Sequence, residues 1–549
     1  MSSISVTASG PAADAVAAHV PGLVKAGFAS RLFAQDATLW GPAAESESAI
    51  RLSWVGLPRS SRPLVGEVAA IRDELSTKGL DHVVLCGMGG SSLAPEVICA
   101  TAGVPLTVLD SSAPDYVRAA IADRLERTIV VVSSKSGSTV ETDSQRRAYE
   151  AAFTSAGIDP ATRIVIVTDP GSPLDKESRE KGYRVVNADP DVGGRYSALT
   201  AFGLVPSGLA GVDIEALLDD AESVADLLAA DDDGNPGLRL GAAMAGTDPL
   251  RDKLVLVDEG SGIVGFADWA EQLIAESTGK QGTGVLPVVV SDDSDPEVSH
   301  PARDITVAHL VAEDGDEGNI TLEHESHRSA VYVGGSLGAQ MLLWEVATAA
   351  AGRLLDINPF DQPDVESAKK AARELLDQGT GSASEPDAVD GAVEIHALGG
   401  PDGWLGDATT VEDALDALFA QLDPETGYVA IMAYLDRLAD APLADARRAV
   451  ARRTERPTTF GWGPRFLHST GQFHKGGPRE GVYLQLTAAP LDDLAIPGRE
   501  FTFGDFIASQ AAGDAAVLAD DDHRRPVLHL HLTDHVAGLA QVTRALGVA

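Results

Sequence analysis

The 549-residue chain reads as an α/β protein built on doubly wound parallel sheets. Three observations predict this. Short apolar runs recur along the chain, many close in a turn rich in Gly, Ser and Thr, and helical spacing follows the turn. The first set runs His82–Cys86, Leu106–Leu109, Thr128–Val132 and 163–167. A second set comprises Lys253–Val257, Val285–Val290 and Ser329–Val333, closed by helical stretches over 338–355 and 367–376. Length is the third observation, because a chain of this size exceeds what one hydrophobic core usually organises.

Ahead of the first set, the spacing of Ala, Val, Leu and Phe over about 12–40 predicts helix, and 71–78 predicts a shorter one. The first fifty residues therefore read as an N-terminal helical segment. The stretch 377–390, DQGTGSASEPDAVD, is polar and without periodicity, and it reads as a linker. Beyond it, a tail over 391–549 has apolar runs of its own at Tyr428–Met432, Val482–Leu486 and Val527–Leu532, so it is expected to be a folded α/β segment. No short-period repeat is visible.

Composition narrows the function. The 82 acidic against 42 basic residues give a net charge of −40, a field that repels nucleic acid and anionic membrane surfaces. An anionic small molecule would be repelled too, so any phosphate pocket must be locally neutral or basic. Only Cys86 and Cys99 occur, which argues against a disulfide framework or a multi-cysteine metal site and fits a reducing compartment. Neither a basic segment followed by an apolar run at the N-terminus nor a long apolar stretch elsewhere is present, so the expected location is the cytoplasm.

Two loops suggest phosphate binding. In HVVLCGMGGSSLA (82–94) an apolar strand feeds Gly87, Gly89 and Gly90, then Ser91 and Ser92. Glycines let backbone N–H groups approach an anion, and the dipole of the next helix favours one there. The spacing matches neither the dinucleotide fingerprint nor the Walker pattern, and a plain strand–turn–helix accounts for the same residues. In TIVVVSSKSGSTVET (128–142) a second strand opens into Ser133, Ser134, Ser136, Ser138 and Thr139 around Lys135. One hydroxyl would serve as a helix cap; five form an uncharged donor nest for a phosphate dianion.

These loops, followed by GGRYSALTAFGL (193–204), EQLIAESTGK (271–280) and DINPFDQPDVESAKK (356–370), resemble the ordered signature segments of the glucose-6-phosphate isomerase (phosphoglucose isomerase) family. The likeness runs from about residue 50 to 376. It implies two sugar-isomerase (SIS-type) domains, the first over 51–210 with the phosphate loops and the second over 211–376 with the catalytic glutamate. It also implies a homodimer and the reversible conversion of glucose 6-phosphate to fructose 6-phosphate, a step of glycolysis and gluconeogenesis, with no cofactor or metal.

Carried over position by position, Gly90, Ser91, Ser134, Ser136 and Thr139 match the residues that hold the sugar phosphate. Arg195 matches the arginine that stabilises the enediolate. Glu276 matches the base that moves a proton between C2 and C1, and Gln272, one helical turn earlier, shares its face. Gln362 matches a phosphate contact and Lys369 a lysine that assists ring opening; Lys370 is the adjacent alternative.

The ring-opening histidine departs from the pattern. The family carries it between ESxGK and FDQ, but here that interval holds His300, His309, His324 and His327 without the expected LHSxGQ context. That context stands instead in the tail, as FLHSTGQFHKGG (466–477), with His474 and Lys475 close by. His468 is the expected residue, provided that the tail returns to the site. The tail also resembles the end of fused bacterial transaldolase–isomerase proteins. A further cluster, His529, His531 and His535 in VLHLHLTDH, admits a metal pair, though an alternating half-exposed strand is the plainer reading. Two other functions fit the same signatures: a dual phosphoglucose/phosphomannose isomerase, and a regulator that binds a phosphosugar without reacting. The second predicts loss of the base, yet Glu276 is present.

Overall fold

A computed structural model describes residues 4–313, 328–378, 385–520 and 523–548, the side chains of 365–369 and 377–378 excepted. Three sheets organise it. The first has Thr107–Leu109, His82–Cys86, Thr128–Ser133, Ile164–Thr168 and Arg184–Asn187 side by side in that order, all parallel. Every residue of His82–Cys86 and Thr128–Ser133 is buried. Such strands are covered by helices on both faces, which is why they read as continuous apolar runs.

The second sheet orders Ile4–Ser9, Ala330–Gly335, Ile305–Val311, Lys253–Glu259 and Leu286–Val289. All pairs are parallel except the first, where Ile4–Ser9 lies antiparallel on Ala330–Gly335. The N-terminal segment is therefore not helical alone. It does hold helices at Pro11–Lys25 and Phe28–Phe33, but its first residues close the edge of a sheet formed some three hundred residues later. The alternation in ISVTAS is too short to announce a strand whose partner is so remote in sequence. The helix Leu337–Leu354, which follows the second sheet's strand Ala330–Gly335, is buried from Gly338 to Gly352.

The third sheet belongs to the tail: Ala388–Asp390, Val393–Leu398, Val527–Leu532, Gly481–Ala488, Tyr428–Tyr434 and Thr458–Trp462, in that order. Its last four strands are parallel. The stretch expected to be a linker is in part ordered: the helix Val365–Gln378 enters it and the strand Ala388–Asp390 leaves it, while 379–384 lie outside the described residues.

Buried and half-buried charge fastens the tail to the rest of the chain. Arg465 Nη1 lies 2.5 Å from Asp110 Oδ2 and 2.6 Å from Glu96 Oε2, and Arg437 reaches the same two carboxylates. Burial pushes the Glu96 carboxyl up, but the two guanidinium groups outweigh it and hold it at about 2. Against the second sheet, the wholly buried Lys253 meets Asp252 at 2.8 Å, Asp304 at 3.2 Å and Glu480 of the tail at 2.7 Å. Arg447 meets Asp295 at 2.7 Å and Glu297 at 2.6 Å. Buried pairs of this kind fix the register of two surfaces more than they add net stability, because removing one partner strands the other without water.

Candidate active site

The first loop is shaped by contacts that leave no room for a side chain. A Cβ at Gly90 would stand 1.9 Å from the carbonyl oxygen of Gly194, so the loop touches the GGRYS segment backbone to backbone. Gly89 has φ +54°, and its Cβ would meet Gln272 Nε2 at 2.7 Å and His468 Cβ at 3.0 Å. One glycine turn thus touches the GGRYS loop, the helix Phe266–Thr278 and the tail. Ser197 Oγ donates to Gly90 O at 3.3 Å, Ser92 Oγ donates to Gly89 O at 3.1 Å, and Ser91 is half-buried beside them.

In the second loop the hydroxyls hold one another. Ser134 Oγ lies 3.3 Å from Thr139 Oγ1 and accepts from Gly137 N at 3.1 Å, and Ser136 Oγ lies 2.7 Å from Ser138 Oγ. Thr139 stands at the N-cap of the helix Val140–Ser155 without a side-chain cap bond, which leaves the N–H groups of the first turn directed at the loop. Lys135 takes no part in the nest. Its Nζ lies 2.8 Å from Asp169 Oδ2 and donates to the carbonyls of Pro190 at 2.9 Å and Val192 at 3.0 Å.

Arg195 and Glu276 meet between the first two sheets, both buried. Arg195 Nε donates to Glu276 Oε2 at 3.0 Å, and Gln272 Nε2 approaches the same oxygen at 3.4 Å. Among the described residues Glu276 Oε1 has no hydrogen-bond partner, so one oxygen is anchored and the other open. Arg195 Nη1 donates to Pro359 O at 2.9 Å and Asp361 O at 3.3 Å, and Nη2 donates to Gln362 Oε1. The segment after Asn358 is also held by the buried Lys280, whose Nζ reaches Asn358 O at 2.9 Å, Asp361 O at 2.6 Å and Asp361 Oδ1 at 2.8 Å. Burial, with the Arg195 charge adding to it, lowers the Lys280 ammonium to about 8. Lys369 lies on the helix Val365–Gln378, and its side chain is outside the described residues. Lys370 is exposed, 3.8 Å from Glu374.

The tail packs against the first loop and the start of the helix Val140–Ser155 within the same chain. His468 ends the short 3-10 turn Arg465–His468, and its Nε2 lies 3.1 Å from Glu141 Oε1. Glu141, two residues beyond Thr139, also accepts from Gln510 Nε2 at 2.8 Å. A cavity of about 110 Å³ opens there, lined among others by Thr139, Glu141, Arg373, His468 and Gln510. The rest of FLHSTGQFHKGG is structural. Gln472 Nε2 donates to Gly279 O at 2.9 Å and Asp364 Oδ2 at 2.6 Å, joining the end of the Glu276 helix to the Gln362 segment. His474 is enclosed beside Tyr428 and Tyr483, where burial lowers its imidazole well below the ordinary value, and Lys475 lies 2.5 Å from Asp514.

Of the other histidines, His309 Nδ1 lies 2.8 Å from Glu259 Oε1 and His300 Nδ1 lies 3.1 Å from Ser299 Oγ, while His324 and His327 fall outside the described residues. His529 Nε2 and His531 Nδ1 converge on Thr487 Oγ1, at 2.7 and 2.8 Å, and His535 Nε2 lies 2.9 Å from Asp440 Oδ1. Two participants escaped the sequence reading. Glu141 looks like any acidic residue in a helix first turn, and Lys280 like the end of a signature; only proximity to His468 and Asp361 reveals them.

Parallel sheets flanked by helices, with a buried carboxylate and an arginine meeting next to a glycine turn, are the features of the sugar-isomerase class. No family model matches the chain. Among curated relatives, the "Probable glucose-6-phosphate isomerase" of Haloarcula marismortui is 30% identical over 353 residues, covering 56% of this chain and 80% of that protein. The "Glucose-6-phosphate isomerase" of Synechococcus sp. (strain JA-3-3Ab) is 30% identical over 349 residues, covering 53% of this chain. The chain spans 65% of the length of that relative. A solved structure of a hypothetical protein from Thermus thermophilus shares the fold, with TM-score 0.57 and 24% identity, covering 68% of this chain and all of the other. The chain belongs to the glucose-6-phosphate isomerase family. Among the described residues no helix is long and apolar enough to cross a membrane, and no group of three or more His, Cys, Asp or Glu side chains could hold a metal ion.

Proposed function

We propose that the chain interconverts glucose 6-phosphate and fructose 6-phosphate by ring opening and proton transfer through a cis-enediol. The observation that carries this reading is the Glu276 carboxylate, one oxygen fixed by Arg195 at 3.0 Å and the other open. An aldose–ketose conversion needs one base to take a proton from C2 and return it to C1. A buried carboxylate anchored through a single oxygen suits that exchange. In this reading the Arg195 guanidinium stabilises the charge that develops on the enediolate.

In this account the Gly90–Ser91 turn and the hydroxyls of Ser134, Ser136 and Thr139 hold the phosphate with neutral donors and the dipole of the following helix, with Gln272 and Gln362 beside the sugar. His468 and Lys369 open the ring, and Glu141 orients the imidazole. The chemistry is acid–base throughout and calls on no cofactor. We assign His468 to its own subunit, a reading supported by the 3.1 Å approach of its Nε2 to Glu141 Oε1. The tail is then the counterpart of the end of the fused transaldolase–isomerase proteins, and the working form is a cytoplasmic homodimer in glycolysis and gluconeogenesis.

The test is incubation with glucose 6-phosphate in deuterated water, followed by NMR. Fructose 6-phosphate should form with deuterium entering at the exchanging carbon. Absence of any interconversion would overturn the proposal, and release of mannose 6-phosphate would widen it to a dual isomerase.

A further inference from the structure

The cavity beside His468 poses an electrostatic problem. It opens at Ser138 and Thr139, the part of the second loop proposed to receive a phosphate dianion, yet Glu141 lines it as well and the whole chain carries −40. Neutral donors and a helix dipole must then act against a local carboxylate and a long-range repulsion. A cation in the lining would resolve this, but the basic groups nearest in sequence are committed elsewhere. Lys135 is held by Asp169 at 2.8 Å. Arg146 is held by Asp143 and Glu150, each at 2.6 Å, and Arg147 by Asp143 at 2.7 Å.

Arg373 lines the same cavity and is exposed, and among the described residues its guanidinium has no hydrogen-bond or ion-pair partner. Its position is set by the backbone. The helix Val365–Gln378 crosses Phe503–Ala519 so closely that a Cβ at Gly513 would stand 2.8 Å from the amide nitrogen of Ala372, the residue before it. Gly513 thus lets the helix settle with residue 373 at the cavity.

We propose that Arg373 is a further substrate-binding residue, a cation that draws the sugar phosphate into the cleft and contacts its phosphate group. This rests on the function proposed above. A guanidinium without a partner is available for a charge-assisted bond to phosphate oxygen. Because the phosphate stays bound while the proton moves, that bond lowers KM and leaves kcat alone.

The experiment measures steady-state kinetics and the calorimetric affinity for inorganic phosphate on R373Q and R373K, with R452Q, an exposed arginine on the tail helix Ala446–Thr454, as control. R373Q should raise KM and the Kd for phosphate about tenfold with kcat within about twofold, R373K should recover part of both, and R452Q should change neither. The fall of kcat/KM with added salt should be shallower in R373Q than in the wild type. Unchanged KM and phosphate affinity in R373Q, or an equal effect of R452Q, would overturn the proposal. A wild type that binds phosphate through Arg373 but turns over no hexose phosphate would support the site and sink only the proposed reaction.

Discussion

Arg195 Nε and Glu276 Oε2 stand 3.0 Å apart, both side chains buried, on segments that the chain separates by 81 residues. The same guanidinium reaches forward to the carbonyls of Pro359 and Asp361 and to Gln362. Arg195 is therefore the point where three signature segments join, and in the proposed reaction its charge is in place before any enediolate forms, which is what preorganisation requires.

Gly90 sets how closely the first loop approaches Arg195. With a Cβ placed 1.9 Å from Gly194 O, G90A must push the two backbones apart. Thermal or urea unfolding should show a loss of about 1–3 kcal/mol, and activity should fall well beyond what that instability explains. An active, equally stable G90A would show that the contact is dispensable.

Glu141 and His468 should behave as a unit. H468A is expected to lower kcat by about 10²–10⁴-fold. E141Q should lower it less, and the double variant should be no slower than H468A, because the carboxylate acts through the imidazole it holds at 3.1 Å. Effects that multiply would separate the two residues.

Glu271 supplies a pH signature. Burial, with Asp268 adding to it, raises its carboxyl from 4.5 to about 8 against the bond that Ser469 donates at 3.0 Å. Between those values the native state holds a proton that the unfolded chain releases, so this group's contribution falls as pH rises from about 4.5 to about 8. E271Q removes the titration while its amide oxygen can still accept from Ser469. Its Tm relative to wild type should therefore increase from pH 5 to pH 9; a constant difference would contradict the assignment.

Much of the fold is legible in the amino-acid sequence. His82–Cys86 and Thr128–Ser133 announce themselves because strands buried on both faces are apolar throughout, and the Gly and Ser residues after them mark where helices begin. Ile4–Ser9 and Val393–Leu398 do not, since each is defined by a partner far away in sequence, at Ala330–Gly335 and Val527–Leu532. Within the site, the LHSTGQ context singles out His468 over His474 in HSTGQFHK, but no local pattern says what either side chain meets. In the fold His468 sits at the end of a 3-10 turn facing Glu141, while His474 enters a helix that buries it beside two tyrosines. The docking of the tail through Arg465 and Lys253 is likewise invisible in the sequence, because a buried ion pair and a solvated one use the same residue types.

In the proposed reaction the open oxygen of Glu276 moves the proton. E276Q preserves the shape and the bond from Arg195 but removes the base, so the most direct measurement is its kcat for glucose 6-phosphate alongside its rate of deuterium incorporation from solvent. Both should fall together, by about 10²–10⁴-fold, with phosphate affinity retained. Isomerisation by E276Q at the wild-type rate would contradict it.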